Sequence, residues 1–118
     1  THLSLFKSSI YNLNPSSIKK FTPMLEKKLY ANGQPVYKLA DGMLIFYYKN
    51  GTVKAEGPYP DNMMEGEWRF YRESGQLWQI GNFKNNQKHG SWIRYDRNNN
   101  VEYQETFEHN KAVNPKRR

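Results

Sequence analysis

Residues 66–83 read Gly66-Glu67-Trp68-Arg69-Phe70-Tyr71-Arg72-Glu73-Ser74-Gly75-Gln76-Leu77-Trp78-Gln79-Ile80-Gly81-Asn82-Phe83. Two runs rich in aromatic and aliphatic residues flank Ser74-Gly75, and that pattern predicts a β-hairpin. With Ser74-Gly75 as a two-residue loop, Arg72 faces Leu77, Phe70 faces Gln79, Trp68 faces Gly81 and Gly66 faces Phe83. Side chains alternate across a strand. Trp68, Phe70, Leu77, Gly81 and Phe83 therefore share one face, while Tyr71, Trp78 and Ile80 share the other with Glu67 and Arg69. A glycine weakens a strand because it packs nothing, and an aromatic ring lying across it restores the contact. This register predicts Trp68 over Gly81 and Phe83 over Gly66.

The same pattern returns at a shift of 24 residues. Gly42, Gly66 and Gly90 align, as do Leu44, Trp68 and Trp92. Tyr47, Tyr71 and Tyr95 align, followed by Val53, Leu77 and Val101, then Gly57 and Gly81, then Tyr59, Phe83 and Phe107. Self-similarity at such a period marks an array of supersecondary units. Asn50-Gly51 and Asn98-Asn99 are the loops of the flanking hairpins. Tyr30-Ala31-Asn32-Gly33 resembles Tyr48-Lys49-Asn50-Gly51 and marks a shortened copy, about six residues short before Gly42. The expected fold is all-β, an elongated antiparallel meander of tandem hairpin repeats with a short irregular or helical N-terminal segment. Its divisions are a non-repeat cap over 1–26, a degenerate copy over 27–41, copies over 42–65, 66–89 and 90–111, and a disordered basic tail over 112–118. Thr22-Pro23 suits a helix start for 24–30, in competition with a strand from about Lys28.

Composition narrows the function. The 118 residues suffice for one domain. Aromatics reach 15% with nine tyrosines, which suits half-buried sheets and argues against disorder. With no cysteine, thiol chemistry and cysteine zinc sites are excluded. The net charge of +7 divides into +4 over residues 1–43, −1 over 44–110 and +4 over 111–118. The repeats are thus nearly neutral, so base stacking along a cationic groove is not expected, nor any specific nucleic acid. Lys111, Lys116, Arg117 and Arg118 are candidates for contact with an anionic membrane. The chain opens on Thr1, from which we expect a removed upstream segment; the compartment stays open between cytoplasmic and extracytoplasmic.

No catalytic, cofactor or metal constellation emerges. The histidines are His2, His89 and His109; His89 and His109 fall in inter-repeat turns and read as solvated side chains. Glu65, Glu67 and Glu73 could form a carboxylate set, but Glu67 and Glu73 lie six residues apart on a mixed face alternating with Arg69, and they read as surface charges paired across strands. The remaining candidates are binding residues. Tyr71, Trp78 and Ile80, with their counterparts Ile45, Tyr47, Ile93 and Tyr95, form a mixed aromatic face suited to a protein partner. Gly42, Gly57, Gly66, Trp68, Gly81, Phe83, Gly90, Trp92 and Phe107 are assigned to the structure of the repeat.

The segments Gly66-Glu67-Trp68-Arg69-Phe70-Tyr71, Ser74-Gly75-Gln76-Leu77 and Gly81-Asn82-Phe83-Lys84-Asn85-Asn86-Gln87-Lys88-His89-Gly90-Ser91-Trp92 resemble the MORN-repeat superfamily. The closer likeness is to its bacterial variant, the YwqK-type proteins named as antitoxins. The likeness covers 42–111 well, 27–41 poorly and 1–26 not at all. It implies an elongated meander and a role in protein contact, membrane association or toxin neutralisation. Asn86 and Asn99 stand where the pattern has glycine, and Glu105 replaces the glycine of Gly57 and Gly81, as expected of a looser terminal unit.

Overall fold

The computed structural model describes Leu25 and residues 28–113. The rest of the expected cap over 1–26, and tail residues 114–118, lie outside the described residues. Within them nine strands form one antiparallel sheet: β1 (Tyr37–Ala40), β2 (Met43–Tyr47), β3 (Val53–Pro58), β4 (Gly66–Tyr71), β5 (Leu77–Lys84), β6 (Gln87–Lys88), β7 (Gly90–Tyr95), β8 (Val101–Glu108) and β9 (Lys111–Val113). The order is β1-β2-β3-β4-β5-β7-β8-β9, with β6 paired to the end of β5. The all-β meander of hairpins is the fold.

The expected register holds from Phe70 outward and fails at the loop. Phe70 pairs with Gln79, Trp68 with Gly81 and Gly66 with Phe83, but Tyr71 pairs with Leu77. The Arg72 N–H donates to the Gln76 carbonyl and the Gly75 N–H to the Arg72 carbonyl, both at 2.8 Å. The loop therefore holds three residues, Glu73-Ser74-Gly75, the third with φ of +98°. Three-residue hairpins of this kind demand a left-handed third position. The register slips by one there and is restored by a bulge at Trp78. The other loops repeat the device, with Gly33 at +90°, Gly51 at +92° and Asn99 at +66°. Asn99 is tolerated because asparagine enters that region more readily than other side-chain-bearing residues.

The opposite hairpin ends use a second device. Asp61-Asn62, Asn85-Asn86 and His109-Asn110 all have positive φ at both positions, the geometry of a tight type I′ turn. Asparagine is retained there for a second reason. The Asn86 Oδ1 accepts the Met64 N–H at 2.7 Å, and the Asn86 N–H donates to the Met64 carbonyl at 3.0 Å. Asn110 repeats this reciprocal pair with Lys88. The first copy dispenses with the extension: Asp41-Gly42 turns β1 directly into β2, Ala40 opposite Met43. The missing six residues are that extension.

The glycines divide into two roles. Gly66 and Gly90 have φ of +71° and +100°, where the chain leaves the turn and enters a strand. Gly57 and Gly81 lie beneath indoles, but not those of their own hairpins. A Cβ on Gly57 would stand 2.3 Å from the Trp68 ring, and one on Gly81 2.5 Å from Trp92. The Trp68 Nε1–H donates to the Pro58 carbonyl and the Trp92 Nε1–H to the Asn82 carbonyl, each at 2.9 Å. Each tryptophan thus leans back onto the previous hairpin. The predicted covers, Trp68 over Gly81 and Phe83 over Gly66, are replaced by Trp68 over Gly57 and Trp92 over Gly81. The backward step fastens one unit to the next, which an intra-hairpin cover would not do. Glu105 now has a physical reason: no following tryptophan arrives among the described residues.

Leu44, Ala55, Tyr59 and Trp68 form the buried core, with Leu25, Tyr37, Phe46, Met64, Phe70 and Phe83 packed against it. Rings continue the layer, Phe70 to Trp92 at 5.8 Å, Phe83 to Trp92 at 5.2 Å and Trp92 to Phe107 at 6.1 Å. Leu29 bridges Pro35 and the Val36 N–H donates to the Lys28 carbonyl, so residues from Lys28 take the extended alternative. Ala112 and Val113, expected in the tail, belong instead to β9, where Lys111–Val113 pairs with Thr106–Glu108 as the outermost strand of the described sheet.

Candidate functional site

On the face opposite the tryptophans, strand pairing lines up Lys38, Ile45, Glu56, Arg69, Ile80, Ile93 and Gln104 across seven strands. Tyr47, Tyr71 and Tyr95 stand two residues further along β2, β4 and β7, toward the loops. The structure therefore brings together Ile45, Tyr47, Tyr71, Ile80, Ile93 and Tyr95, all half-buried. Among the described residues no second layer covers them. The Tyr71 hydroxyl donates to Glu56 Oε2 at 2.7 Å. Partial burial, and then this bond, push its pKa above the usual tyrosine value.

Trp78 does not join that group. Its bulge lets it reach the Arg94 guanidinium, which lies 5.3 Å from the Trp78 ring and 4.9 Å from the Tyr103 ring. Arg94 Nε also donates to Gln79 Oε1, its cross-strand partner on the tryptophan side. The indole thus serves the other face, at its loop end.

There Trp78 lines a cleft of about 470 Å³ with Tyr48, Arg72, Glu73, Ser74 and Arg97. Three successive loops build it. Side chains at the loop entrances reach forward to the next unit: the Tyr30 hydroxyl donates to the Tyr47 carbonyl, that of Tyr48 to the Tyr71 carbonyl, and Arg72 Nη2 to the Tyr95 carbonyl. Burial and then Glu73 raise the Tyr48 pKa, which keeps it a donor. Asp96, at the same position in the last unit, closes its own loop by accepting the Asn98 and Asn100 N–H groups. Sequence reading missed Tyr48, Arg72 and Arg97 because the repeat alignment hides them: Tyr30, Tyr48, Arg72 and Asp96 share a position but not a chemistry. That departure from the repeat was the available signal.

The other titratable candidates separate. The Glu65 Oε1 accepts the Asn85 N–H at the inter-repeat turn. Glu67 pairs with Arg69 at 3.1 Å on the surface, within β4 and not across strands as expected, and Glu73 sits at the loop end. His89 is half-buried, its ring 5.5 Å from that of His109, which corrects the solvated reading: the turns of adjacent units stack. Among the described residues no three side chains of metal-binding type gather, and no helix is long and apolar enough to cross a membrane.

The family model described as MORN repeat variant matches residues 40–59, 64–85 and 88–109, more than half of the chain. No curated protein and no solved structure matches.

Proposed function

The chain belongs to the MORN repeat variant family, and from that premise we propose a non-catalytic module that binds a protein partner on the face carrying Ile45, Tyr47, Tyr71, Ile80, Ile93 and Tyr95. The division of labour between the two faces supports this reading. On the tryptophan face, rings are spent on the fold: Trp68 is 0% and Trp92 3% exposed. On the other face the isoleucines and tyrosines lie in rows that no second layer covers among the described residues. Tyrosine buries a large area at low entropic cost, which suits it to contact surfaces. In this reading residues 27–111 act as one recognition unit, scaffolding the partner.

The finer reading is that the partner is a toxin and the module an antitoxin or immunity-type protein. Its support is the resemblance of the segments around Trp68 and Trp92 to proteins so named. The test is capture and neutralisation of the neighbouring gene's product by the wild type and by Tyr71→Ala/Ile80→Ala. Loss of binding by about 100-fold or more, with the thermal melt preserved, is expected of two anchor residues. A folded double mutant that binds as before sinks the proposal. The +4 charge of residues 111–118 favours a second reading, attachment to anionic lipid through Lys111, Lys116, Arg117 and Arg118. Vesicle sedimentation should then weaken steeply with salt and disappear when 111–118 are removed.

A further inference from the structure

We propose that the cleft among the three hairpin loops is a recognition site for a carboxylate side chain of an acidic peptide segment, held by Arg72 and Arg97 beside Trp78. This rests on the protein-binding reading and assigns part of the partner's chemistry.

The charge balance of the cleft is the first support. Its lining holds two guanidinium groups and one carboxylate. Neither guanidinium lies within ion-pair distance of a carboxylate among the described residues, where the ion pair formed is Arg69 with Glu67. Arg72 is half-buried, and its Nε is shut from water without a hydrogen-bond partner. Arg72 is bonded through Nη2 to the Tyr95 carbonyl but has no counter-charge among the described residues, and two guanidiniums facing one cleft, Arg97 on its exposed side, repel each other. One anion between them relieves both.

The repeat supplies the second support. Tyr30 and Tyr48 make the forward bond to the next unit with a neutral hydroxyl, each at 2.6 Å. The ladder therefore needs a donor at this position, not a charge. The Arg72 charge is surplus to the fold. Arg97 stands where other copies have Lys49 and Glu73, and Trp78 where they have Lys54 and Glu102. Among the described residues, this junction brings two guanidiniums and an indole to one cleft.

The same features select the anion. A guanidinium presents paired donors that match the two oxygens of a carboxylate or phosphate. Glu73 in the lining penalises a dianion more than a single charge, which favours carboxylate. The cleft is open and spans three loops, a shape for an extended peptide whose flanking aromatic group lies against Trp78.

The experiment is an NMR titration of the full ¹⁵N-labelled chain with the capped peptide Ac-Glu-Phe-Glu-NH2, with Ac-Gln-Phe-Gln-NH2, with inorganic phosphate, and with phosphatidylserine vesicles. The Arg72 and Arg97 Nε–H and Trp78 indole resonances should move with the glutamate peptide and stay with the glutamine one. Arg97→Gln should weaken binding roughly tenfold, and Lys84→Gln, an equal loss of charge elsewhere, should not. Arg72→Tyr restores the ladder hydroxyl of its neighbours, so it should fold while losing the peptide. Equal response to the glutamine peptide, response to phosphate or vesicles alone, or full affinity in folded Arg72→Tyr/Arg97→Gln overturns the site. Peptide binding that survives while partner capture fails sinks the isoleucine–tyrosine face alone; the reverse sinks the cleft alone.

Discussion

Trp68 on Gly57 and Trp92 on Gly81 are one crossing made twice, 24 residues apart. The indole bonds are the same length, and each ring lies too close over its glycine to admit a Cβ. Their surroundings differ. Trp68 sits among Leu44, Ala55 and Tyr59, with Leu25 and Met64 against the cluster. Over Trp92 stands the Lys88 ammonium, 4.6 Å from its ring and 4.7 Å from that of Phe107. The neighbouring row shows the same drift. Tyr37, Phe46, Ala55 and Phe70 on β1 to β4 give way to Gln79, Arg94 and Tyr103 on β5, β7 and β8. The backbone device is set by what recurs in the repeat. The polarity around it is set by what does not recur. One half of the tryptophan face is thereby a dry core and the other a cationic surface.

The largest effect should come from removing the rings. Trp68→Ala should cost about 3–5 kcal/mol in urea unfolding. Trp92→Ala should fall at or below the lower end, because the long side chain of Lys88 above it can settle into the gap. Equal losses would break the contrast. Next, Gly57→Ala should cost about 2–3 kcal/mol by forcing a Cβ into an indole that has no room to lift. Gly81→Ala should cost less, while Glu105→Ala, where no following tryptophan arrives among the described residues, should stay within about 0.5 kcal/mol.

A smaller change should follow Lys88→Gln, about 0.5–1 kcal/mol for a cation removed from two rings, with no counterpart in the first unit. Alkaline titration sharpens the contrast further. Burial, and then Tyr37, raise the Tyr59 pKa, and Phe83 and Phe107 occupy its position in the later units. A pKa raised on folding means that the native state favours the neutral phenol. Its contribution is complete below the unfolded value of about 10 and declines as pH rises through the higher folded value. Tyr59→Phe should reduce the stability slope in that range, as read from melts at pH 9 to 11.

Much of this fold was legible because glycine and aromatic residues recur in fixed order, and the pairings from Phe70 outward follow from counting. The loop was not. A three-residue turn and a bulge at Trp78 cancel within a few residues, so the distant register looks the same with or without them. The bulge moved Trp78 off the face of Tyr71 and Ile80, which alternation alone cannot foresee. Nor does a sequence distinguish a ring leaning on its own hairpin from one leaning on the previous hairpin, since a strand inside a meander has a glycine-bearing neighbour on each side. Arg72 and Arg97 escaped notice for a different reason: they fall at loop positions where the repeats disagree.

The backward lean of each tryptophan also governs how such a chain can be lengthened. An internal unit carries both halves of the joint, a ring for the unit before it and a glycine for the unit after. Residues 66–89 could be duplicated in register, and the second copy's indole would land on the first copy's Gly81. Duplicating the last unit would bring an indole down on Glu105 and leave Asp96 folded into its own loop with no arm to extend. New units therefore enter from within, and the final hairpin travels outward unchanged.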